Sequence, residues 1–471
     1  MQHTSHRLTR RHLLRWAGAS IALLAASCGA PPVPTTGRAQ PTSPPTEQAA
    51  PARERLWVLQ KRDFFPAFNG WFQQEIARWC EAQGWPLDIA YAEEWAQGMP
   101  FVEKLTASVA ADSPPDLVMH SLGISELRRV NGLAQVSHIV EQVEGQWGQA
   151  SKRMELDYRA EGEWWAVPYF QRSDGGWFQR PAFEEQGIDL RKVRQYTDLA
   201  EACLAASKPD AGLYGWGVTI ARCGDGDWFR IRVMHGWGAY IQDETGRYVT
   251  FDTPEMIEAM TWMTNLYLDE RWARMMPPNV LAWNDNSNNE AYLAGQIAYT
   301  QNGGTIYAQA VVNNNPIKDM TGYHAPCGGP VNAEFNSLSA NSLMILTGAQ
   351  NREAAEDAIL YLTMSLETMD AVFRNAPAYA LPCYHALWDK SEFIPTDPVA
   401  MEQKSVALDP EAIVPGVWPG PTSDAWTAAN NSGAQQEMVQ SILHGTPVKE
   451  AVRACHERYV QIWKEHGLPG E

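Results

Sequence analysis

Arg55-Leu-Trp-Val-Leu-Gln60, Pro86-Leu-Asp-Ile-Ala-Tyr91 and Pro115-Asp-Leu-Val-Met119 are three short apolar runs, and what lies between them decides the fold. Between the first two, residues 69–82 place Trp71, Phe72, Ile76 and Trp79 near helical spacing. Between the second and third, residues 101–111 place Phe101, Leu105 and Val109 four apart. Strand, helix, strand, helix, strand implies right-handed crossovers and a parallel sheet, hence an α/β fold. Ligands of such sheets sit beyond the carboxyl ends of the strands. That rule nominates Lys61, Arg62 and Asp63 after the first run, residues 93–95 with Trp95 after the second, and His120 and Ser121 after the third.

Working outward, Glu163-Trp-Trp-Ala-Val-Pro-Tyr-Phe170 is extended and Gly175-Gly-Trp-Phe-Gln179 is strand-like. Helical patterns follow at 198–206, 254–269, 288–294, 351–364, 367–374, 434–443 and 448–466. Residues 284–289 read as a polar loop and helix start, and there is no internal repeat.

Towards the amino terminus the chemistry changes. Arg7, Arg10, Arg11 and Arg15 precede any acid, and residues 16–26 form an apolar run ending in small side chains. A basic start, a short apolar core and small residues describe a signal peptide over residues 1–28. The run is about half the roughly 20 residues of a membrane-spanning helix. Thr9-Arg-Arg-His-Leu-Leu14 resembles a twin-arginine export motif, and Leu24-Ala-Ala-Ser-Cys28 a lipobox with Ala25 where Leu is usual. Either Cys28 carries a lipid that holds the protein on a membrane, or the leader is an ordinary signal peptide with a chance cysteine. Residues 29–53, rich in Pro, Thr, Ala and Gln, cannot bury enough surface to offset chain entropy and form an extended spacer.

Residues 54–471 exceed one ordinary core and predict two lobes. The composition, 45% hydrophobic and 20% charged, is that of a folded soluble body. Losing the four leader arginines takes the net charge from −18 to about −22, which argues against nucleic acid as a partner. Cys80, Cys203, Cys223, Cys327, Cys383 and Cys455 show neither CxxC nor zinc-finger spacing. Outside the cytoplasm they are free to form disulfides or to stay as buried thiols, and fifteen pairings are open. Twenty tryptophans is a high count, and several lie in polar or glycine-containing stretches: Trp95, Trp177, Trp228, Trp237, Trp283 and Trp418. A ring beside polar groups suits a ligand with an apolar face and a hydroxylated rim, as a sugar has. GxSxG, HExxH, P-loop and GxGxxG signatures are absent from the sequence.

Six ordered motifs from about residue 55 onward resemble the extracellular solute-binding proteins of family 1, the maltose-binding-like receptors of ABC importers. They are Ser113-Pro-Pro-Asp-Leu-Val-Met119, Gly162-Glu-Trp-Trp-Ala-Val-Pro168, Gly176-Trp-Phe-Gln-Arg180, the 248–259 segment, Tyr292-Leu-Ala-Gly-Gln-Ile-Ala-Tyr299 and Asn351-Arg-Glu-Ala-Ala-Glu-Asp-Ala358. The resemblance implies a two-lobed periplasmic-binding-protein-like fold. Each lobe would be a mostly parallel sheet flanked by helices, with the ligand cleft between lobes. Lobe 1 would take about 54–171 and 303–368, and lobe 2 about 172–302 and 369–471. The crossovers fall near residues 171–175 and 300–304, which puts Arg172, Asp174 and Asn302 at the cleft. Thr305 stands where many relatives carry an aromatic residue, and Trp283 or Trp418 could supply the ring from elsewhere.

The expected ligand-binding set is therefore Arg62, Asp63, Trp95, His120, Ser121, Arg172, Asp174, Trp228, Trp237, Trp283, Asn302 and Trp418, with Cys28 for lipidation. The expected protein is a receptor and not an enzyme, with no catalytic residue, metal or cofactor. It is exported, either anchored to the outer face of the cell membrane or periplasmic, and monomeric. It would deliver a small solute, a sugar or oligosaccharide, to the transmembrane subunits of an ABC permease. Two alternatives stand beside it: a secreted carbohydrate-active enzyme, and the same fold binding a polyamine, peptide or glycerol phosphate.

Overall fold

A computed structural model describes residues 55–63, 65–92, 105–121, 123–332, 336, 338–414 and 416–471. Strand β1 (Leu56–Lys61) pairs in parallel with β2 (Leu87–Ala92) and β3 (Leu117–His120), as the opening pattern requires. The connecting helix Pro66–Gln83 begins at a proline, whose fixed φ and missing N–H suit the first helical position. It buries Phe68, Phe72, Ile76 and Trp79 and ends at Gly84 in the left-handed region, φ 71°. Residues 105–110 are helical before β3.

A two-residue hairpin, β4 (Arg159–Ala160) with β5 (Glu163–Trp164), leads into β6 (Val167–Ser173). The chain then passes through Asp174 alone into β7 (Gly175–Gln179), which belongs to a different sheet. Later come β8 (Tyr299–Asn302), β9 (Thr321–His324) and β10 (Leu338–Met344). The first sheet has the order β2-β1-β3-β10-β6, with β10 antiparallel to both β3 and β6. The second has the order β8-β7-β9 and is antiparallel throughout, where the family resemblance implies a mostly parallel sheet. Gly175 and Gly176 are required by close approach: a Cβ would lie 2.4 Å from the Tyr323 ring at the first and 2.3 Å from the Tyr299 ring at the second.

Each sheet has its own apolar core. The first gathers Phe72, Ile76, Val118, Phe170 and Leu343, the second Phe183, Tyr196, Trp216, Phe229, Met263 and Trp463. The expected division gives residues 369–471 to the second lobe. The buried apolar residues of 369–412, among them Met369, Phe373, Leu387 and Trp388, pack instead in the first core, and those of 425–463 pack in the second. The molecule is thus a two-lobed α/β protein.

Candidate functional site

Among the described residues, two of the passages between the sheets are very short. One is Asp174. The other is Gly303-Gly304, between β8 and the helix Thr305–Val312, whose Ile306 and Ala308 lie in the first core. A cavity of about 410 Å³ opens at these crossings. The first-sheet side contributes Lys61, Ser121, Arg172, Asp174, Ser339 and Tyr379; the other side contributes Gly224, Asp225, Trp228, Asp285, Asn302, Gly303 and Thr305.

The first wall is a fixed hydrogen-bond network at the carboxyl ends of β1, β3 and β6. Lys61 is fully buried, its Nζ 3.3 Å from Ser121 Oγ and 3.8 Å from Asp63 Oδ2. Burial, with Arg172 nearby, pulls the Lys61 ammonium down to about 7 against the opposing pull of Asp63. Arg172 donates to the Tyr379 hydroxyl at 2.9 Å, and that hydroxyl donates to Asp63 Oδ2 at 3.0 Å. Burial works against the Arg172 charge, but Tyr379, Asp63 and Asp174 more than offset it. His120 ends β3 with a fully buried ring whose Nδ1 accepts the Ser121 N–H at 2.9 Å. Burial, and then the charges of Lys61 and Arg172, push the His120 ring well below the ordinary histidine value.

The second wall is built on the start of the helix Gly224–Gly236. The Asp225 amide donates to Asp285 Oδ1 at 2.8 Å, and Asn288 Nδ2 donates to Asp225 Oδ2 at 2.7 Å. Burial and the neighbouring Asp285 push the Asp225 carboxyl up to about 8, although Asn288 and Arg232 favour its charge. Trp228 lies one turn on, with the Arg232 guanidinium 5.8 Å from its ring centre. Arg232 reaches back to Asp174 at 3.7 Å and to Gln301 Oε1 at 3.3 Å, linking the helix to the first crossing. Asn302 is tied into the second crossing: its Oδ1 accepts from the Thr305 N–H at 3.0 Å and hydroxyl at 2.7 Å, and its Nδ2 donates to Asn289 at 2.9 Å.

Of the expected residues, the cavity brings together Ser121, Arg172, Asp174, Trp228 and Asn302. Asp63 and His120 stand behind its wall, holding Lys61, Tyr379 and Ser121. Arg62 is exposed and lies over the Tyr91 ring at 4.9 Å. Trp237 is buried against Trp262, ring centres 4.8 Å apart, in the second core. Trp283 is half-buried and packs against both cores. Trp418 is 38% exposed and packs on His235 and Tyr240. These four do not line the cavity. Trp95 and Cys28 lie outside the described residues.

Sequence reasoning missed Asp225, Asp285, Ser339 and Tyr379. Asp285 falls in the 284–289 run read as a plain polar loop, where the only signal was the density of amides and acids. Tyr379, within Pro377-Ala-Tyr-Ala380, carried no signal. Among the described residues there is no group of three His, Cys, Asp or Glu side chains that would hold a metal. The arrangement sets the cationic donors and the Tyr379 phenol on one side and the Asp225 and Asp285 carboxyls with the Trp228 indole on the other, which is how a small polar ligand is oriented.

Two cored lobes joined by short crossings, with a polar cavity where the chain crosses, define a two-lobed binding protein. A family model described as bacterial extracellular solute-binding protein matches residues 66–363, and the chain belongs to that family. No curated protein matches the chain. Among solved structures it is similar to maltose-bound MalE3 of T. maritima, at 17% identity and TM-score 0.68 over 87% of this chain and 98% of that one. A sugar transporter of Arthrobacter chlorophenolicus with bound laminaribiose gives 15% and 0.68, over 86% and 98%. An ABC substrate-binding protein of Listeria monocytogenes in complex with cycloalternan gives 14% and 0.69, over 88% and 100%. Among the described residues no helix is long and apolar enough to cross a membrane.

Proposed function

We propose that this protein is the receptor of an ABC importer. It captures a sugar or short oligosaccharide in the cavity at the crossings and presents it to the transmembrane subunits of a permease. The observation that carries this reading is the lining itself: Trp228 and Tyr379 beside Ser121, Arg172, Asp174 and Asp225. Sugar hydroxyls both donate and accept, and charged partners give the stronger bonds. An aromatic face covers the C–H side of the ring. The sugars bound by the similar receptors support the same class.

The test is a solute panel read by thermal melting. A ligand at about a hundred times its dissociation constant adds roughly 2.7 kcal/mol of stability. A shift with intact sugars, and no cleavage product by chromatography, is the expected result. Product release would favour the carbohydrate-active enzyme, and a shift with polyamine, peptide or glycerol phosphate alone would replace the sugar.

In the same proposal residues 1–28 direct export and Cys28 carries the lipid, leaving a monomer tethered by residues 29–53 at the outer face of the membrane. Cys28→Ala should move the protein from the membrane fraction to the soluble one. A Cys28→Ala protein that remains membrane-bound would leave only the signal peptide.

A further inference from the structure

The cations that line the cavity stand on one wall. Lys61 and Arg172 stand on the first-sheet side, where Asp63 and Asp174 share them. On the other side Asp225 and Asp285 stand together, the carboxylate of one on the amide of the other at 2.8 Å. Asn288 occupies only one Asp225 oxygen, at 2.7 Å. Among the described residues neither carboxylate has a cationic side chain within salt-bridge distance, and Arg232 is engaged by Asp174 and Gln301. Trp228 lies one turn from Asp225 and lines the same space. Two carboxylates and an indole face are the surroundings that attract an ammonium.

We infer that the solute is an amino sugar, bound with its ammonium against Asp225 and Asp285 and its hydroxyls toward Arg172 and Ser121. The inference rests on the carbohydrate reading of this cavity. The ammonium relieves the repulsion of the paired carboxylates, which otherwise favours a proton on one of them. Lys61 and Arg172 repel the same group from the opposite wall, so the ligand has one orientation. N-acetylation removes the charge and leaves the pair uncompensated.

The test is calorimetric titration of the full chain at pH 7 with glucosamine, N-acetylglucosamine, glucose and glucuronic acid, and with the β-1,4-linked dimers of the first three. The amino member of each set should bind about 30-fold tighter than its N-acetyl and neutral counterparts, as hydrogen bonds to a charged partner warrant. Asp225→Asn should bring that ratio below about threefold. The wild-type ratio decides the matter even where the variant does not fold. Equal affinities, or a preference for glucuronic acid, overturn the inference and leave the carbohydrate reading standing. No binding by any sugar overturns both.

Discussion

The two walls of the cavity are made differently. The first is assembled from strand ends and closed by a chain of bonds running Arg172–Tyr379–Asp63–Lys61–Ser121. The second is the start of one helix, a loop carboxylate and an indole, with Asp225 and Asp285 brought together by backbone capping rather than by an ion pair. The first wall's polar groups mostly satisfy one another, so it supplies shape and orientation. The second keeps two carboxyl groups with no cationic side chain at salt-bridge distance among the described residues, so it has more to gain from a ligand.

The strongest way to break this contrast is Arg172→Ala. It removes the donor to the Tyr379 hydroxyl and one of the two cations beside Asp63, and leaving buried polar groups unsatisfied costs about 1–3 kcal/mol. Melting should register a loss of that order, and solute affinity should fall by about 100-fold or more in calorimetry. Trp228→Ala, on a half-buried ring, should reverse the proportions. Affinity should drop about 30-fold, as for an aromatic hot spot, with a stability loss near 1 kcal/mol. If both variants lose the same share of stability, the walls are not distinct.

The dependence of stability on pH sharpens the contrast, because the two walls have opposite signs. Lys61 has a folded value of about 7 against 10.5 unfolded, so the unfolded chain holds more protons between them and stability rises with pH across that window. Asp225 has a folded value of about 8 against 3.8, so the folded chain holds more protons and stability falls from about pH 4 to 8. Denaturant titrations from pH 4 to 10 should show Lys61→Met removing the alkaline rise and Asp225→Asn flattening the earlier fall. Variants whose slopes match the wild type would contradict the assignment. The smallest effect belongs to Arg62→Ala. Arg62 is exposed and outside the cavity, so both stability and affinity should stay within about 0.5 kcal/mol of the parent.

Much of the first wall was legible because it follows from periodicity. Once residues 55–119 read as strand, helix, strand, helix, strand, the ends of those strands had to be near any ligand, and Lys61 and Ser121 are there. The register of the whole sheet was not legible. β10 enters between β3 and β6 from residue 338 onward, antiparallel, and no local pattern announces a partner so far along the chain. The second wall hid for another reason. Asp225 and Asp285 have the composition of solvated surface, and only their convergence through the Asp225 amide gives them meaning. The tryptophans show the limit of reading neighbours. Trp228 and Trp237 share one glycine-containing stretch, yet one lines the cavity and the other is packed on Trp262.

One consequence follows from how briefly the chain crosses. Asp174 is the whole of the first passage, and Gly303-Gly304, with Gly304 at φ 91°, is the whole of the second. At these two passages few dihedrals can absorb a twist of one lobe against the other, which makes them part of the axle. Asp174 and Gly303 are also part of the cavity surface. A solute lodged there rests on the axle, where a small change of angle is felt as a change of fit.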